Sequence, residues 1–306
     1  MQRVVARIGE RYGFLDLPDP EEDVVPGVAW GRFEHPLTAA FWVSQAWMAG
    51  EPEPADFRLG RTLAEELAAC LLGGHGAPAE VGLAAYGRIR NALAQRGDGL
   101  LPAEVAEQLL TEPLDVDGRR VLYRFAKQRA RHLAEALDGL RRIDADALAD
   151  VALREALRTL PGIGPKTASW IVRNRRGSDA VAILDVHIMR ACRVMGVFPD
   201  DADPGRGYVE LERRFLAFCE AAQARASVMD ATMWATMRGI SPRLYNRIVD
   251  PPHRFADKRR VTTGGERECR AAAADGTRAR HSQAAPQRGT RACGSGAGRS
   301  TALKPA

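Results

Sequence analysis

Apolar residues recur at three- and four-residue spacing through most of the chain from Pro36 to about Arg238, the period of helices with one buried face. Leu37, Phe41, Trp42, Ala46 and Met48 mark the first, which breaks at Gly50–Pro54. A second, roughly 59–72, carries Leu63, Leu67, Cys70 and Leu71 on one face and stops at Gly73-Gly74-His75-Gly76, a strong helix-end and loop signal. Pro78 opens a helix to about Gln95, and Pro102 another to about Leu110. The spacing then predicts a long helix over 118–140, apolar at Val121, Leu122, Phe125, Leu133 and Leu137. Further helices are expected over 144–148, 153–160, 166–176, 186–196, 207–224 and 228–238. Residues 1–35 show no clear period, and Val28-Ala29-Trp30 reads as an edge strand or extended wrapping. Beyond Pro252 apolar residues nearly vanish, and Gly, Ala, Arg, Thr and Ser follow without periodicity. Such a segment buries too little surface to offset its ordering entropy, so 253–306 is expected to be a disordered basic tail behind a body over 1–252.

Composition agrees with a mainly α protein: of 306 residues, 45% are hydrophobic and 27% charged, enough for a sizeable core. No apolar run is long enough to span a bilayer and no signal peptide is read at the start, so a cytoplasmic, nucleoid-associated protein is expected. Five cysteines without Cys-x-x-Cys spacing suggest a reducing compartment, no disulfide framework and no zinc site. The pI near 9.1 points toward nucleic acid, but its source is the tail. From Pro251 onward there are 12 Lys/Arg against 4 Asp/Glu, which leaves 32 against 35 for residues 1–250. The body is slightly acidic, so any grip on DNA has to be local.

One stretch offers such a grip. In Leu160-Pro161-Gly162-Ile163-Gly164-Pro165-Lys166-Thr167-Ala168, two glycines flank an isoleucine ahead of a helix start. Glycines permit close backbone approach, and a turn feeding a helix N-terminus aims N–H groups outward, an anion site. Ile163 fills a groove or packs on the facing helix. Lys166 is an ordinary exposed helix lysine or, one turn from that grip, a nucleophile whose amine must be desolvated or set near other cations. Asp185 stands where a helix N-cap belongs. A carboxylate held there stays ionised, which is compatible with stabilising a cationic sugar. The arginines of the 118–140 helix read as a solvated face or a phosphate contact.

The strings LPGIGPKTASWIV and AVAILDVHIMRA together resemble the helix-hairpin-helix, Gly/Pro loop and aspartate signature of the HhH-GPD DNA glycosylases. The match covers about residues 118–240, with the hairpin at about 153–176. It implies a two-lobed helical fold. A lysine at the position of Lys166 is similar to the bifunctional members, which excise a base through a lysine Schiff base and then nick the strand by β-elimination, and Asp185 matches their aspartate. Asp-Val-His, and the lack of a Cys-x₆-Cys-x₂-Cys-x₅-Cys cluster, resemble the 8-oxoguanine enzymes rather than the endonuclease III branch with its iron–sulfur cluster. The resemblance implies phosphate contacts at Gly162, Gly164 and His187 and a flipped nucleotide in damaged double-stranded DNA. It also implies a monomer, no organic cofactor, and room for a monovalent cation at the hairpin carbonyls.

Base recognition is expected from three further residues. Trp170, one turn after Lys166, sits at the offset of a base-stacking residue in the family. Asp230 and Trp234, four apart and so on one helix face, resemble a purine-reading pair in which the aromatic stacks and the carboxylate accepts guanine N1–H and N2–H. The bland alternative makes both tryptophans core. His75 is expected in the gap left by the flipped base, or as a plain loop residue, and Gln45 as a further base contact. An oxidised-pyrimidine glycosylase without an iron–sulfur cluster, and a non-catalytic helix-hairpin-helix DNA-binding module, are the rival readings.

Overall fold

The computed structural model describes residues 1–74 and 76–249. The expected tail and the role of His75 lie outside the described residues. The chain opens with two small β-hairpins where no period was legible. β1 (Gln2–Ile8) and β2 (Arg11–Leu17) pair antiparallel across Gly9-Glu10, with Gly9 at φ +61°. β3 (Asp23–Val25) and β4 (Val28–Ala29) pair across Pro26-Gly27, where Gly27 has φ +79°. Val28-Ala29 is thus the strand allowed for by the sequence.

Helices follow: α1 (Ala39–Ala49), α2 (Leu63–Leu72), α3 (Ala79–Arg96) and α4 (Ala103–Thr111). Thr38 and Thr62 cap α1 and α2 by accepting from the N–H groups of Phe41 and Glu65, which accounts for where each begins.

The long helix expected over 118–140 begins only at Ala126. Ahead of it lies a third hairpin, β5 (Leu114–Val116) and β6 (Arg119–Val121), with α5 running Ala126–Leu140. Asp117 and Gly118 both take positive φ, +51° and +75°, a two-residue Asp-Gly turn that suits the right-handed twist of the strands. This local turn chemistry overrides the helical period. It moves Arg119 and Arg120 onto a strand and Leu122 into an exposed connection. Residues 144–148 form turns rather than a helix.

α6 (Asp150–Arg158) and α7 (Pro165–Arg176) form the expected helical hairpin, followed by α8 (Val186–Met195), α9 (Pro204–Ala221), α10 (Ala226–Arg238) and α11 (Pro242–Val249). α9 starts earlier than expected because Asp203 caps it and Pro204 opens it, with a kink at Gly207.

Two hydrophobic cores make the two-lobed body. The first gathers α2–α7, with Leu67, Leu71, Ile89, Leu133, Leu157, Ile163 and Ile171 buried, and ends at Val181. The second joins the N-terminal hairpins and α1 to α8–α10 through Trp42, Leu184, Ile188, Phe215 and Met229, and begins again in sequence at Ala182. The chain therefore crosses from one core to the other immediately before Asp185. Among the described residues, no helix is long and apolar enough to cross a membrane.

Candidate active site

The hairpin turn divides its labour among three neighbours. Gly162 has φ +77°, and a Cβ there would lie 2.7 Å from Nδ1 of His132 on α5. Glycine is needed for both conformation and space. Gly164 is the N-cap of α7 at φ −87°, exposed, and an added Cβ would meet nothing within 4 Å. It brings no capping side chain, and Pro165 at the first helical position has no N–H. The remaining first-turn donors, the N–H groups of Lys166 and Thr167, have no side-chain cap. Of the two places expected for Ile163, it takes the packed one: its side chain is buried in the first core and does not reach out to fill a groove.

Lys166 lies in the first turn of α7, half-buried. Its Nζ stands 5.5 Å from the centroid of the Trp170 ring. Burial pushes its amine below the ordinary lysine range. The Asp185 carboxylate opposes that shift, and Arg129 adds to it. Trp170 is half-buried against the first core, its ring against the backbone of Gly73 at the end of α2. Its other face is left to the lysine.

Asp185 caps α8. Its Oδ1 accepts from the N–H groups of His187 at 2.8 Å and Ile188 at 2.9 Å. The two backbone bonds fix the carboxylate and leave Oδ2 outside the cap. His187 is half-buried, and its Nδ1 has no hydrogen-bond partner.

Asp230 on α10 is 2% exposed, and the backbone N–H of Ile183 approaches its carboxylate off the hydrogen-bond line. Arg173 on α7 pairs with it at 3.2 Å as an ion pair off the hydrogen-bond line, while its guanidinium stacks 4.8 Å over Phe57. Burial raises the Asp230 carboxyl to about 7. Arg173 restrains that rise and Asp185 adds to it. Asp185 thus lies close enough to act electrostatically on both Lys166 and Asp230. Trp234, one turn beyond Asp230, is 37% exposed with Arg238 stacked at 4.5 Å, which removes the reading of it as core. Gln45 is half-buried on α1, which packs on α10, with no bond tying it to the site.

Arg173 and Cys70 were missed in the sequence. Arg173 is three residues after Trp170 and seven after Lys166, so helical spacing alone put it on the same face. Cys70 gave no comparable signal. Burial raises its thiol well above the usual range, so beside Lys166 it remains a neutral neighbour.

A family of sequences described as 8-oxoguanine DNA glycosylase matches residues 60–224 of this chain. Among solved structures, the chain is similar to the 8-oxoguanine DNA glycosylase of Thermotoga maritima, at 26% identity over 58% of this chain and 80% of that one, with a TM-score of 0.46. It is also similar to the enzyme of Methanocaldococcus jannaschii, at 24% identity over 68% of this chain and 98% of that one, TM-score 0.49. A third is the Clostridium acetobutylicum 8-oxoguanine glycosylase/lyase in complex with double-stranded DNA, at 14% identity over 78% and 82%, TM-score 0.43.

Proposed function

Since the chain belongs to the 8-oxoguanine DNA glycosylase family, with its helix-hairpin-helix fold, we propose that it excises 8-oxoguanine from duplex DNA and then cleaves the abasic strand as a lyase. The observation that carries this reading is the half-buried Lys166, its amine pushed toward the neutral form, with the capped Asp185 carboxylate acting on it.

The target nucleotide leaves the stack, because its C1′ is unreachable within the duplex. Backbone donors at Gly164 and the start of α7, with His187, hold phosphates on either side. The Lys166 lone pair forms a bond to C1′ as the bond from C1′ to the base breaks, and the base leaves with that electron pair and a proton. Asp185 stabilises the positive charge that develops on the sugar. Sugar ring opening gives the protonated Schiff base. Loss of a 2′ proton then expels the 3′ phosphate and nicks the strand.

The lesion is supported by Asp230. A buried carboxylate that Arg173 and the Ile183 N–H approach only off the hydrogen-bond line keeps acceptor capacity, and the N1–H and N2–H of a guanine-type base are the complementary pair. Trp170 and Trp234 are the stacking faces, with Gln45 a further contact. The Gly162 and Ile163 carbonyls accept no backbone N–H among the described residues, and such oxygens suit a monovalent cation.

The direct test is a duplex carrying one 8-oxoguanine, assayed for free base and for the β-elimination fragment. Both products are expected, and Lys166→Gln should bind the duplex yet make neither. Free base without a fragment would remove the lyase half; neither product would remove the reading.

A further inference from the structure

The segment that delivers Asp185 crosses between the two cores, and it is held there by a buried polar cluster outside the reacting site. Glu212 on α9 is 4% exposed. One carboxylate oxygen accepts from the Ala182 N–H at 2.9 Å and the Ser169 hydroxyl of α7 at 3.3 Å. The other pairs with Arg154 of α6 at 2.7 Å, also buried. One turn earlier on α9, the buried Tyr208 hydroxyl donates to the Ala182 carbonyl at 2.6 Å and accepts from the Leu184 N–H at 3.4 Å.

These bonds join four things. Arg154 and Ser169 belong to the two hairpin helices, α7 carries Lys166 three residues before Ser169, and Ala182–Leu184 leads directly into Asp185. Stability alone would be served as well by apolar groups of the same volume, since burying an ion pair gains little over them. What the cluster adds is register. Irregular backbone between two separately packed cores has no helix or sheet ladder to fix it, and here α9 does so on both sides of Ile183.

We propose that Tyr208 and Glu212 are positioning residues that set where Asp185 stands relative to Lys166, by clamping Ala182–Leu184 to the hairpin helices. The inference rests on the glycosylase reading for its effect on rate, and on backbone bonds alone for its mechanical half. Tyr208 and Glu212 act only through the backbone that carries Asp185. Loosening them affects the chemical step and leaves the phosphate grip of the hairpin turn in place.

Tyr208→Phe removes one oxygen, and Glu212→Gln keeps an acceptor while losing the charge that pairs Arg154. Each is compared with the parent for single-turnover base release at saturating protein, for duplex affinity, and for amide hydrogen exchange at Ala182 and Leu184. Misplacement by a fraction of an ångström is expected to slow base release about tenfold or more, with affinity held within about twofold. Exchange at Leu184 is expected to speed up in Tyr208→Phe. A folded Tyr208→Phe with parental release rate overturns the proposal, as does an equal loss of affinity and rate. If Tyr208→Phe does not fold, Glu212→Gln decides by the same criteria. Should the parent itself release no base, the glycosylase reading fails, and unchanged exchange in both variants would then overturn the clamp independently.

Discussion

Asp230 and Arg173 face each other across the site at 3.2 Å, joining α10 to the helix that carries Lys166. In the proposed function the pairing bears on lesion reading, because Asp230 would accept guanine-type donors only as a carboxylate. With its buried carboxyl raised to about 7, Asp230 changes charge near neutral pH, and Arg173, with a smaller part from the Ile183 N–H, keeps it from rising further. The folded value lies above the ordinary 3.8, so the folded state holds an extra proton between the two. The associated stability is fully present below about 3.8 and is lost as pH rises through about 7. Asp230→Asn has no such loss. Its melting temperature relative to the parent should climb across this window, and a flat difference would show that Asp230 does not titrate there.

Arg173→Met takes away the opposing cation. The pH at which 8-oxoguanine excision reaches half its maximum should move upward relative to the parent, while cleavage of a preformed abasic site keeps its profile. A common shift of both profiles would assign the effect to Lys166 or Asp185 instead.

The hairpin glycines are separable. Gly162→Ala places a side chain at φ +77° and against His132, so it should cost about 1–3 kcal/mol of stability in thermal unfolding. Gly164→Ala has open space and an ordinary φ. It should melt with the parent yet bind duplex DNA more weakly, about tenfold, because its methyl stands where a phosphate would approach the first-turn N–H groups. Equal affinity for Gly164→Ala would move the phosphate contact elsewhere.

Much of this site was legible along the chain. Gly-Ile-Gly-Pro-Lys fixed the hairpin, and Asp185 had to cap a helix because it follows a buried apolar run and precedes Val186-His187-Ile188. Helical spacing of the apolar faces recovered α1–α4, α6–α8 and α10 to within a few residues. In β3 to β6, strands of two or three residues are too brief to establish alternation, and the seven-residue β1 and β2 carry no clean apolar–polar alternation because both faces are largely exposed. At Asp117-Gly118 a turn signal two residues long outweighed an apparent helical face over 118–140. For Ile163 the sequence left two places open, a groove or the facing helix, because it gives no direction to a side chain between two glycines. The Arg173–Asp230 and Glu212–Ser169 contacts join residues 57 and 43 apart in number, and local pattern carries no information on such pairs. Glu212 nevertheless left a trace, as an acid amid the apolar stripe Tyr208, Leu211, Phe215 and Phe218.

Trp234 is exposed on the face of α10 that bears Asp230. Trp234→Ala should therefore leave the melting temperature within about 2 °C of the parent, as surface changes do. Excision of 8-oxoguanine should fall, with abasic-site cleavage unaltered. A large drop in melting temperature would return Trp234 to a packing role.

Lys166 is the centre of the account. Its lowered amine value means that burial penalises the ammonium at neutral pH and that the penalty is relieved as pH rises toward 10.5. Lys166→Gln should accordingly gain melting temperature over the parent at pH 7, with the gain shrinking in alkaline buffer. A constant difference would mean the amine is not desolvated.

The most direct measurement is borohydride trapping of the protein on a duplex containing 8-oxoguanine. The parent should form a covalent adduct that peptide mapping locates at Lys166, and Lys166→Gln should form none while still binding the duplex. An adduct at another residue, or no adduct with either 8-oxoguanine or a preformed abasic site, would contradict the assignment of Lys166 as nucleophile.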